Sequence, residues 1–278
     1  MKINLDNQYY IALAAAKEAS KTIMQFYNSA FEKFIKEDGS PVTQADLASS
    51  KVIFEHLDKT NIPIVGEELE KAPYQERKKW TLCWCVDPLD GTKEFIKKNG
   101  EFVVNIALIE NNVPVFGVIA SPISQKIIFG GSAINGAYET SFDTIHDPAA
   151  WVKLNTLKEV NVPITIISSR SHYVGNLLAL ARILEKTFGP FEGKRMGSAL
   201  KFFDLCKNQV DVYPRLAPTM EWDIAAGQAI YKTIGGIIVD IKTGKELTYN
   251  KPNLLNPHFI AGKKKVIDVL STTFIKKG

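Results

Sequence analysis

The feature of the sequence that most restricts the fold is a strongly apolar run that ends in two carboxylates, Asp87 and Asp90. Pro88 stands between them and fixes its own φ, while Gly91 permits a positive φ directly after them, so the pattern predicts a strand followed by a turn. Such a turn directs both carboxylates and the Leu89 carbonyl toward one point. The chain is therefore expected to bury this strand and to gather hard oxygen ligands at its end.

A site made only of oxygen ligands suits Mg²⁺ or Mn²⁺ better than Zn²⁺, which prefers nitrogen and sulfur. An ordinary Asp-Gly hairpin turn is the alternative for this segment taken alone, since acids are common at turns. Two further acidic segments lie at predicted strand or helix ends, where an α/β architecture usually gathers its site. They are Gly66-Glu67-Glu68 and Glu221-Trp222-Asp223.

The length and composition place the chain among ordered globular proteins. Its 278 residues, 45% of them hydrophobic, are enough for one large or two ordinary domains. No stretch approaches the roughly 20 apolar residues of a membrane span, and the N-terminus lacks the apolar core of a signal peptide, so we expect a cytoplasmic protein. The net charge of +4 is modest and most lysines are scattered, so nucleic-acid binding is not indicated.

Three cysteines form no even disulfide framework, and Cys83 and Cys85 are too close in sequence for an unstrained bridge, so we expect reduced core residues.

The tail from residue 263 to 278 mixes lysines with apolar residues. It favours a helix docked on the protein with a solvated lysine face, and peripheral contact with an anionic membrane is the alternative. Monomer and homodimer both remain open.

Hydrophobic periodicity predicts an N-terminal α+β region with an antiparallel sheet. A long helix from Tyr9 to Tyr27 comes first, and the capping pattern Thr43-Gln44-Ala45-Asp46 opens a second helix. A short strand at 62–65 precedes the acidic segment, and β-rich runs at 102–109, 113–120 and 126–129 predict a meander.

The second half alternates strands and helices, which implies an α/β layer. Its predicted strands cover 164–167, 191–196, 210–213 and 237–240, and its predicted helices cover 174–188, 198–205 and 223–233. The polar stretch 140–159 is the expected hinge. The predicted domains are therefore residues 1–155, with most of the metal ligands, and residues 156–278, with Asp223 and nucleotide contacts.

The acidic motifs, taken together and in this order, resemble the metal-binding set of the inositol monophosphatase superfamily of Mg²⁺-dependent, Li⁺-sensitive phosphatases. Within it, the sequence is most similar to the CysQ-type 3'(2'),5'-bisphosphate nucleotidases, because the motif that starts at Asp87 continues in their form to Phe102. The resemblance runs from about Lys36 to Ala261 and implies a layered αβαβα phosphatase fold. Supporting matches are Ser169-Arg170-Ser171-His172, Gly197-Ser198-Ala199-Leu200-Lys201-Phe202, Tyr213-Pro214-Arg215 and Leu255-Asn256-Pro257.

This resemblance implies two Mg²⁺ ions per site, with Mn²⁺ as a substitute and a third ion beside Glu67 as an open alternative. Asp46 and Thr92 resemble the family's water-positioning pair, and Glu67 would complete the catalytic set. A capping role for Asp46 and a hydrogen bond within the turn for Thr92 are the alternatives. The implied metal ligands are Glu67, Asp87 and the Leu89 carbonyl for one ion, and Asp87, Asp90 and Asp223 for the other.

The substrate implied by the resemblance is adenosine 3',5'-bisphosphate, which would lose its 3'-phosphate to give AMP. The backbone amides of Gly91 and Thr92 would hold the scissile phosphate, while Lys201 and Arg215 are basic groups available for the second one. The implied substrate contacts are Glu67, Leu89, Asp90, Gly91, Thr92, Ser169, His172, Ser198, Lys201, Arg215 and Asp223.

Two positions depart from the usual CysQ pattern. Ala199 stands where a second serine is frequent, which removes a hydroxyl contact, and Ile224 stands where threonine is common, which leaves an opening for inositol phosphatase specificity. A superfamily phosphatase acting on inositol monophosphate or a sugar bisphosphate is the nearest rival, and a non-catalytic sensor of nucleotide or metal is the rival of another class. The extension from Lys93 to Phe102 favours the nucleotidase.

Overall fold

The computed structural model describes residues 5–29, 32–35, 39, 41–170 and 176–275. Within these residues, the α-helices are α1 (Asn7–Tyr27), α2 (Gln44–Leu57), α3 (Tyr74–Arg77), α4 (Thr92–Ile96), α5 (Asn176–Phe188), α6 (Lys201–Cys206), α7 (Ala225–Thr233) and α8 (Lys264–Thr273). The strands are β1 (Lys33–Ile35), β2 (Pro41–Thr43), β3 (Ile64–Gly66), β4 (Leu82–Asp90), β5 (Val103–Glu110), β6 (Val113–Ser121), β7 (Lys126–Gly131), β8 (Gly136–Ser141), β9 (Val152–Lys153), β10 (Ile164–Ser168), β11 (Phe191–Arg195), β12 (Val212–Arg215), β13 (Ile237–Asp240) and β14 (Phe259–Gly262).

Strands β3 to β9 form one sheet in sequence order, in which β3 pairs parallel with β4 and every later pair is antiparallel. Successive side chains of a strand point to opposite faces, and both faces of β4 are covered. Trp84 and Val86 pack in one core with α1 and α2, while Cys83 and Cys85 pack in a second core with α7. The predicted meander and the buried, unpaired cysteines are confirmed.

Helix α7 lies close against this sheet because a glycine on β6 leaves room for its backbone. A Cβ at Gly117 would stand 2.3 Å from the carbonyl oxygen of Ala226. No side chain can occupy that space without displacing the helix. The sheet thereby fixes the segment immediately before α7, which carries Asp223.

The second sheet has the order β11-β10-β12-β14-β13, with parallel pairing from β11 to β12 and antiparallel pairing beyond. Helices α5 and α8 cover its outer face, where Leu180, Leu184, Val266 and Leu270 are buried. Its inner face shares the core that contains α6 and α7. The five layers are therefore helix, sheet, helix, sheet and helix, and the predicted αβαβα fold is confirmed.

The stretch predicted as a polar hinge is partly regular and partly buried. Strand β8 extends to Ser141, β9 pairs with β8, and Trp151 and Leu154 are each 8% exposed. The sequence pattern also missed β14, a short strand at 259–262. The division into domains at residues 155 and 156 stays a prediction.

The predicted C-terminal docked helix is observed as α8, but Lys263 was wrongly grouped with its solvated lysines. Lys263 is 3% exposed, and its Nζ lies 2.7 Å from the buried Asp211 carboxylate. The last three residues, including Lys276 and Lys277, lie outside the described residues. Among the helices that the structure describes, none is long and apolar enough to cross a membrane.

Candidate functional site

The acidic segment is a bulged strand end rather than a strand followed by a turn. Strand β4 continues to Asp90, and its register against β5 shifts between Asp87 and Asp90. Pro88 has no amide hydrogen for the sheet ladder, which places it at such an irregularity. The amide of Leu89 donates instead to the Asp87 carboxylate at 3.0 Å, so the bulge holds that side chain in place.

Gly91 ends the bulge in a conformation that favours glycine. Its φ is 101°, and a Cβ there would stand 2.8 Å from the Glu101 carbonyl oxygen and 3.2 Å from the Ser198 Cβ. Both the backbone angle and the lack of space exclude a side chain. Helix α4 begins directly after Gly91.

Three carboxylates from separate segments meet beside this bulge. Glu67, Asp87 and Asp223 each offer an oxygen, and these oxygens all lie within 4.8 Å of one another. Glu67 follows β3, and its amide donates to the Val86 carbonyl at 3.1 Å. Asp223 ends a turn of 3₁₀ helix, and its carboxylate accepts a hydrogen bond from the Met220 amide at 2.9 Å.

Burial and neighbouring negative charge make Asp87 and Asp223 hard to ionise in the absence of a cation. Burial, reinforced by Glu67 and Asp90, raises the pKa of Asp87 well above its usual range. Burial and the charge of Asp90 raise the pKa of Asp223 to about 8. A divalent cation would relieve this repulsion, and a set of carboxylate oxygens is the donor chemistry that Mg²⁺ prefers. The residues present therefore fit a magnesium ion.

Asp90 lies next to this group but does not join it. Its carboxylate accepts hydrogen bonds from the Ala199 amide and from Asn105 Nδ2, the latter at 3.3 Å. Burial raises the pKa of Asp90 to about 6, although Lys201 and the Ala199 amide oppose the shift. Its role as a ligand of the second ion stays a prediction. Ala199 thus contacts Asp90 through its backbone amide, which does not depend on its side chain.

Asp46 has the capping role that the sequence left open and also contacts Thr92, while its role in positioning water stays a prediction. One carboxylate oxygen accepts from the Thr43 amide at 2.8 Å and from the Thr43 hydroxyl at 2.6 Å, so it completes the capping box of α2. The other oxygen accepts the Thr92 hydroxyl at 2.9 Å. Burial is the main cause that raises the pKa of Asp46. The capping box thus holds one carboxylate in position to orient Thr92.

The predicted substrate residues that the structure describes line one cleft of about 410 Å³ with the acidic group. His172 lies outside the described residues. Asp46 stands behind Thr92 rather than in the wall. The predicted residues in the wall are Glu67, Asp87, Leu89, Asp90, Gly91, Thr92, Ser169, Ser198, Lys201, Arg215 and Asp223.

Lys201 and Arg215 are not the freely available cations that the sequence suggested. Lys201 is 2% exposed, and its Nζ donates to the carbonyls of Met196 at 3.0 Å and Ser198 at 2.6 Å. Burial lowers the pKa of Lys201 to about 8. Arg215 donates to the Ser169 hydroxyl at 2.5 Å and to the Pro218 carbonyl at 2.9 Å.

Three supporting residues escaped the sequence analysis because their contacts join distant segments. The Ser49 hydroxyl donates to the Pro88 carbonyl at 2.7 Å, which fixes the bulge to α2. Glu221, which had no assigned role, is fully buried and accepts from the Asn250 amide at 2.6 Å and from Lys251. Lys71 donates to the Glu67 carbonyl at 2.5 Å and lies over the Trp222 ring at 5.3 Å. No local motif marks Ser49 or Lys71, and the acidic segment that contains Glu221 gives no sign of these contacts.

A family model for the inositol monophosphatase family matches residues 4–272. The chain belongs to this family. A curated relative in Salmonella typhimurium, the 3'(2'),5'-bisphosphate nucleotidase CysQ, is 39% identical over 249 residues, which cover 88% of this chain and 95% of that protein. The sequence resemblance to CysQ-type nucleotidases is thereby confirmed.

Two solved structures agree with the fold. The crystal structure of CysQ from Bacteroides thetaiotaomicron superposes with a TM-score of 0.81 at 37% identity and covers 94% of this chain and 99% of that chain. The extragenic suppressor protein suhB from Bartonella henselae gives a TM-score of 0.75 at 23% identity, over 97% of this chain and all of that chain. At that identity, suhB supports the fold alone.

Proposed function

We propose that this protein is a Mg²⁺-dependent phosphatase that removes the 3'-phosphate of adenosine 3',5'-bisphosphate and releases AMP and phosphate. The observation that carries the proposal is the meeting of Glu67, Asp87 and Asp223 at one wall of a cleft whose other walls carry hydroxyl and guanidinium groups. The CysQ relatives, which bear the name of this activity, support the choice of substrate.

The acidic group is suited to hold the cations that phosphate-monoester hydrolysis needs. Glu67, Asp87 and Asp223 would bind Mg²⁺, with the Leu89 carbonyl and Asp90 as the further predicted ligands. Bound Mg²⁺ supplies an activated water and neutralises charge on the phosphoryl and leaving oxygens. The number of ions, and the replacement of Mg²⁺ by Mn²⁺, are part of the same proposal.

Thr92 and Asp46 would orient the attacking water. The Thr92 hydroxyl lies 2.9 Å from the Asp46 carboxylate and 3.3 Å from the Leu89 carbonyl within its own turn, which is the alternative contact that the sequence left open. Because the hydroxyl is the donor in both contacts, its lone pairs are left to accept a hydrogen bond from water. Holding the water in this way raises the rate, because the entropy cost of bringing it into the reactive geometry is met before the chemical step. The amides that follow the bulge at Gly91 would bind the scissile phosphate.

The first test is phosphate release by the purified protein with Mg²⁺ from equal concentrations of adenosine 3',5'-bisphosphate, 3'-phosphoadenylyl sulfate, inositol 1-phosphate and fructose 1,6-bisphosphate. We expect strong preference for a nucleotide and loss of release when a chelator removes Mg²⁺. Preference for inositol 1-phosphate or fructose 1,6-bisphosphate would refute the substrate assignment and keep the metal chemistry. Nucleotide binding without release from any compound would favour the sensor.

Asp87→Asn tests the role of the acidic group directly. We expect a loss of activity of at least 10²-fold, because this carboxylate is buried at the centre of the cation site and no neighbour can replace it. Asp268→Asn is the matched control, since Asp268 lies on α8 with a side chain that is 58% exposed. Near-normal turnover by Asp87→Asn would overturn the assignment.

A further inference from the structure

Glu101 receives hydrogen bonds from two segments of the second half of the chain. Its carboxylate accepts from Arg170 Nε at 2.5 Å, from Arg170 Nη2 and from the Gly197 amide at 2.7 Å. Glu101 belongs to the sequence extension after the acidic motif, and Arg170 belongs to the Ser169–His172 segment. The extension that favours the nucleotidase and one of the supporting sequence matches are therefore in direct contact.

The contact fixes the Arg170 guanidinium at the wall of the cleft. Two of its five N–H groups are bound by Glu101, and Arg170 lines the same cavity as the acidic group. Its side chain is 49% exposed, so the rest of the guanidinium remains accessible from the cleft mouth. The hydrogen bond to Arg170 is the main cause that lowers the pKa of Glu101. A bidentate pair of this kind holds a planar cation in one orientation.

One short backbone segment contacts both this pair and Asp90, a predicted metal ligand. The Gly197 amide binds Glu101, and the Ala199 amide binds Asp90. These amides are two residues apart, so they are separated by at most about 7 Å. Arg170 and the predicted cation site thus flank a single short segment of backbone.

Other cations in the wall are less suited to bind a second anion. Lys201 is 2% exposed and gives two of its three donors to backbone carbonyls. Arg215 is half-buried, donates from Nη1 to Ser169 and from Nη2 to the Pro218 carbonyl, and its buried Nε has no partner among the described residues, whereas the Arg170 side chain is exposed at the cleft mouth. Lys93 is an exposed lysine at the same mouth, but the described contacts do not fix its orientation as Glu101 fixes Arg170. A guanidinium held in a fixed plane is the better partner for a phosphate, which it can bind through two oxygens.

We propose that Arg170, oriented by Glu101, binds the phosphate that is not hydrolysed and so makes the enzyme prefer nucleoside bisphosphates over nucleoside monophosphates. This inference rests on the proposed function and assigns it a specificity residue. Arg170 is the contact residue, and Glu101 is a positioning residue that acts through it.

The test is the ratio of kcat/KM for adenosine 3',5'-bisphosphate to kcat/KM for adenosine 3'-monophosphate, which differ only by the second phosphate. We expect Arg170→Met to lower this ratio by roughly ten-fold or more, as for loss of a charge-assisted hydrogen bond. Arg170→Lys keeps the charge but loses the bidentate geometry, so its ratio should lie between that of the wild type and that of Arg170→Met. Glu101→Gln should also lower the ratio, with the larger change in KM for the bisphosphate.

Lys232→Met is the matched control, because the Lys232 side chain is 49% exposed like that of Arg170, forms an ion pair with Glu246 and lies outside the cleft wall. Its ratio should equal that of the wild type. If kcat/KM falls by the same factor for both nucleotides in the Arg170 and Glu101 variants, the pair has a merely structural role. If kcat/KM changes for neither nucleotide, Arg170 does not contact the second phosphate. Either result overturns the inference. Absence of phosphate release from both nucleotides by the wild-type protein would instead refute the proposed function.

Discussion

At the scale of single residues, the acidic group that could bind a cation lowers the stability of the folded protein when no cation is bound. The pKa of Asp223 is raised from 3.8 to about 8, so the folded protein without metal binds more protons than the unfolded chain between these values. Its contribution to stability therefore falls as the pH rises from about 4 to about 8. Mg²⁺ should restore this loss, because it binds the folded state.

The matching prediction concerns Asp223→Asn, which removes one charge from the group. In chelator at pH 8, we expect its Tm to exceed that of the wild type by roughly 2–4 °C for each 1 kcal/mol of repulsion relieved. The difference should shrink at pH 5, and added Mg²⁺ should raise the Tm of the wild type more than that of the variant. Thermal unfolding of both proteins and of Asp268→Asn provides the measurement. A lower Tm for Asp223→Asn in chelator at pH 8 would contradict the repulsion argument.

Gly91 gives a second prediction at this scale. Gly91→Ala should lower both Tm and kcat/KM, since it adds a Cβ 2.8 Å from backbone and requires a non-glycine residue at a φ of 101°. Gly189→Ala is the control for the angle alone, because Gly189 has a φ of 85° with open space around it. We expect Gly189→Ala to lose stability without losing activity. Normal activity of Gly91→Ala would show that the bulge does not position the phosphate-binding amides.

At the scale of elements, the site depends on contacts that hold separate strand and helix ends together. Lys71 joins the loop after β3 to the turn before α7, through the Glu67 carbonyl and the ring of Trp222. An exposed contact of a lysine with an aromatic ring contributes about 0.5–1 kcal/mol. Its loss should let Glu67 move relative to Asp223.

We therefore expect Lys71→Met to raise the Mg²⁺ concentration for half-maximal activity by roughly two- to five-fold, with little change in Tm. Lys71→Arg should largely retain the wild-type value, because arginine can make both contacts. Lys79→Met removes another exposed lysine and serves as the control. Titration of activity with Mg²⁺ distinguishes the variants. A Lys71→Met curve that coincides with the wild-type curve would refute the positioning role.

Local patterns predicted the elements whose determinants are close in sequence. The capping box from Thr43 to Asp46 is complete within a few residues, so its motif was sufficient, whereas the acidic motif located the carboxylates but not the bulge, which depends on pairing with β5. Strands β8, β9 and β14 are short and depend on neighbours that are far apart in the chain, and their sequences lack long alternation. The engagement of Lys201 by two carbonyls and the burial of Glu221 likewise depend on contacts created by the fold, which no local motif encodes.

At the scale of the whole molecule, the two predicted domains share one core. Cys83 and Cys85 on the first sheet and Cys206 on α6 are all buried in the cluster that contains α7. Burial is the main cause that raises the pKa of Cys83 to about 12, so its thiolate is scarce at pH 8. Because the thiolate is the reactive form, all three thiols should resist modification in the native protein.

This arrangement predicts how the molecule unfolds. At pH 8 we expect a thiol reagent to label no cysteine in the native protein, and all three to become reactive over the same range of urea concentration, because opening the shared core exposes both halves together. Mass spectrometry at each urea concentration measures the extent of labelling of each cysteine. Reaction of Cys206 at clearly lower urea than Cys83 and Cys85 would show that residues 156–278 open first, in which case the division at 155 and 156 is a cooperative boundary as well as a predicted one.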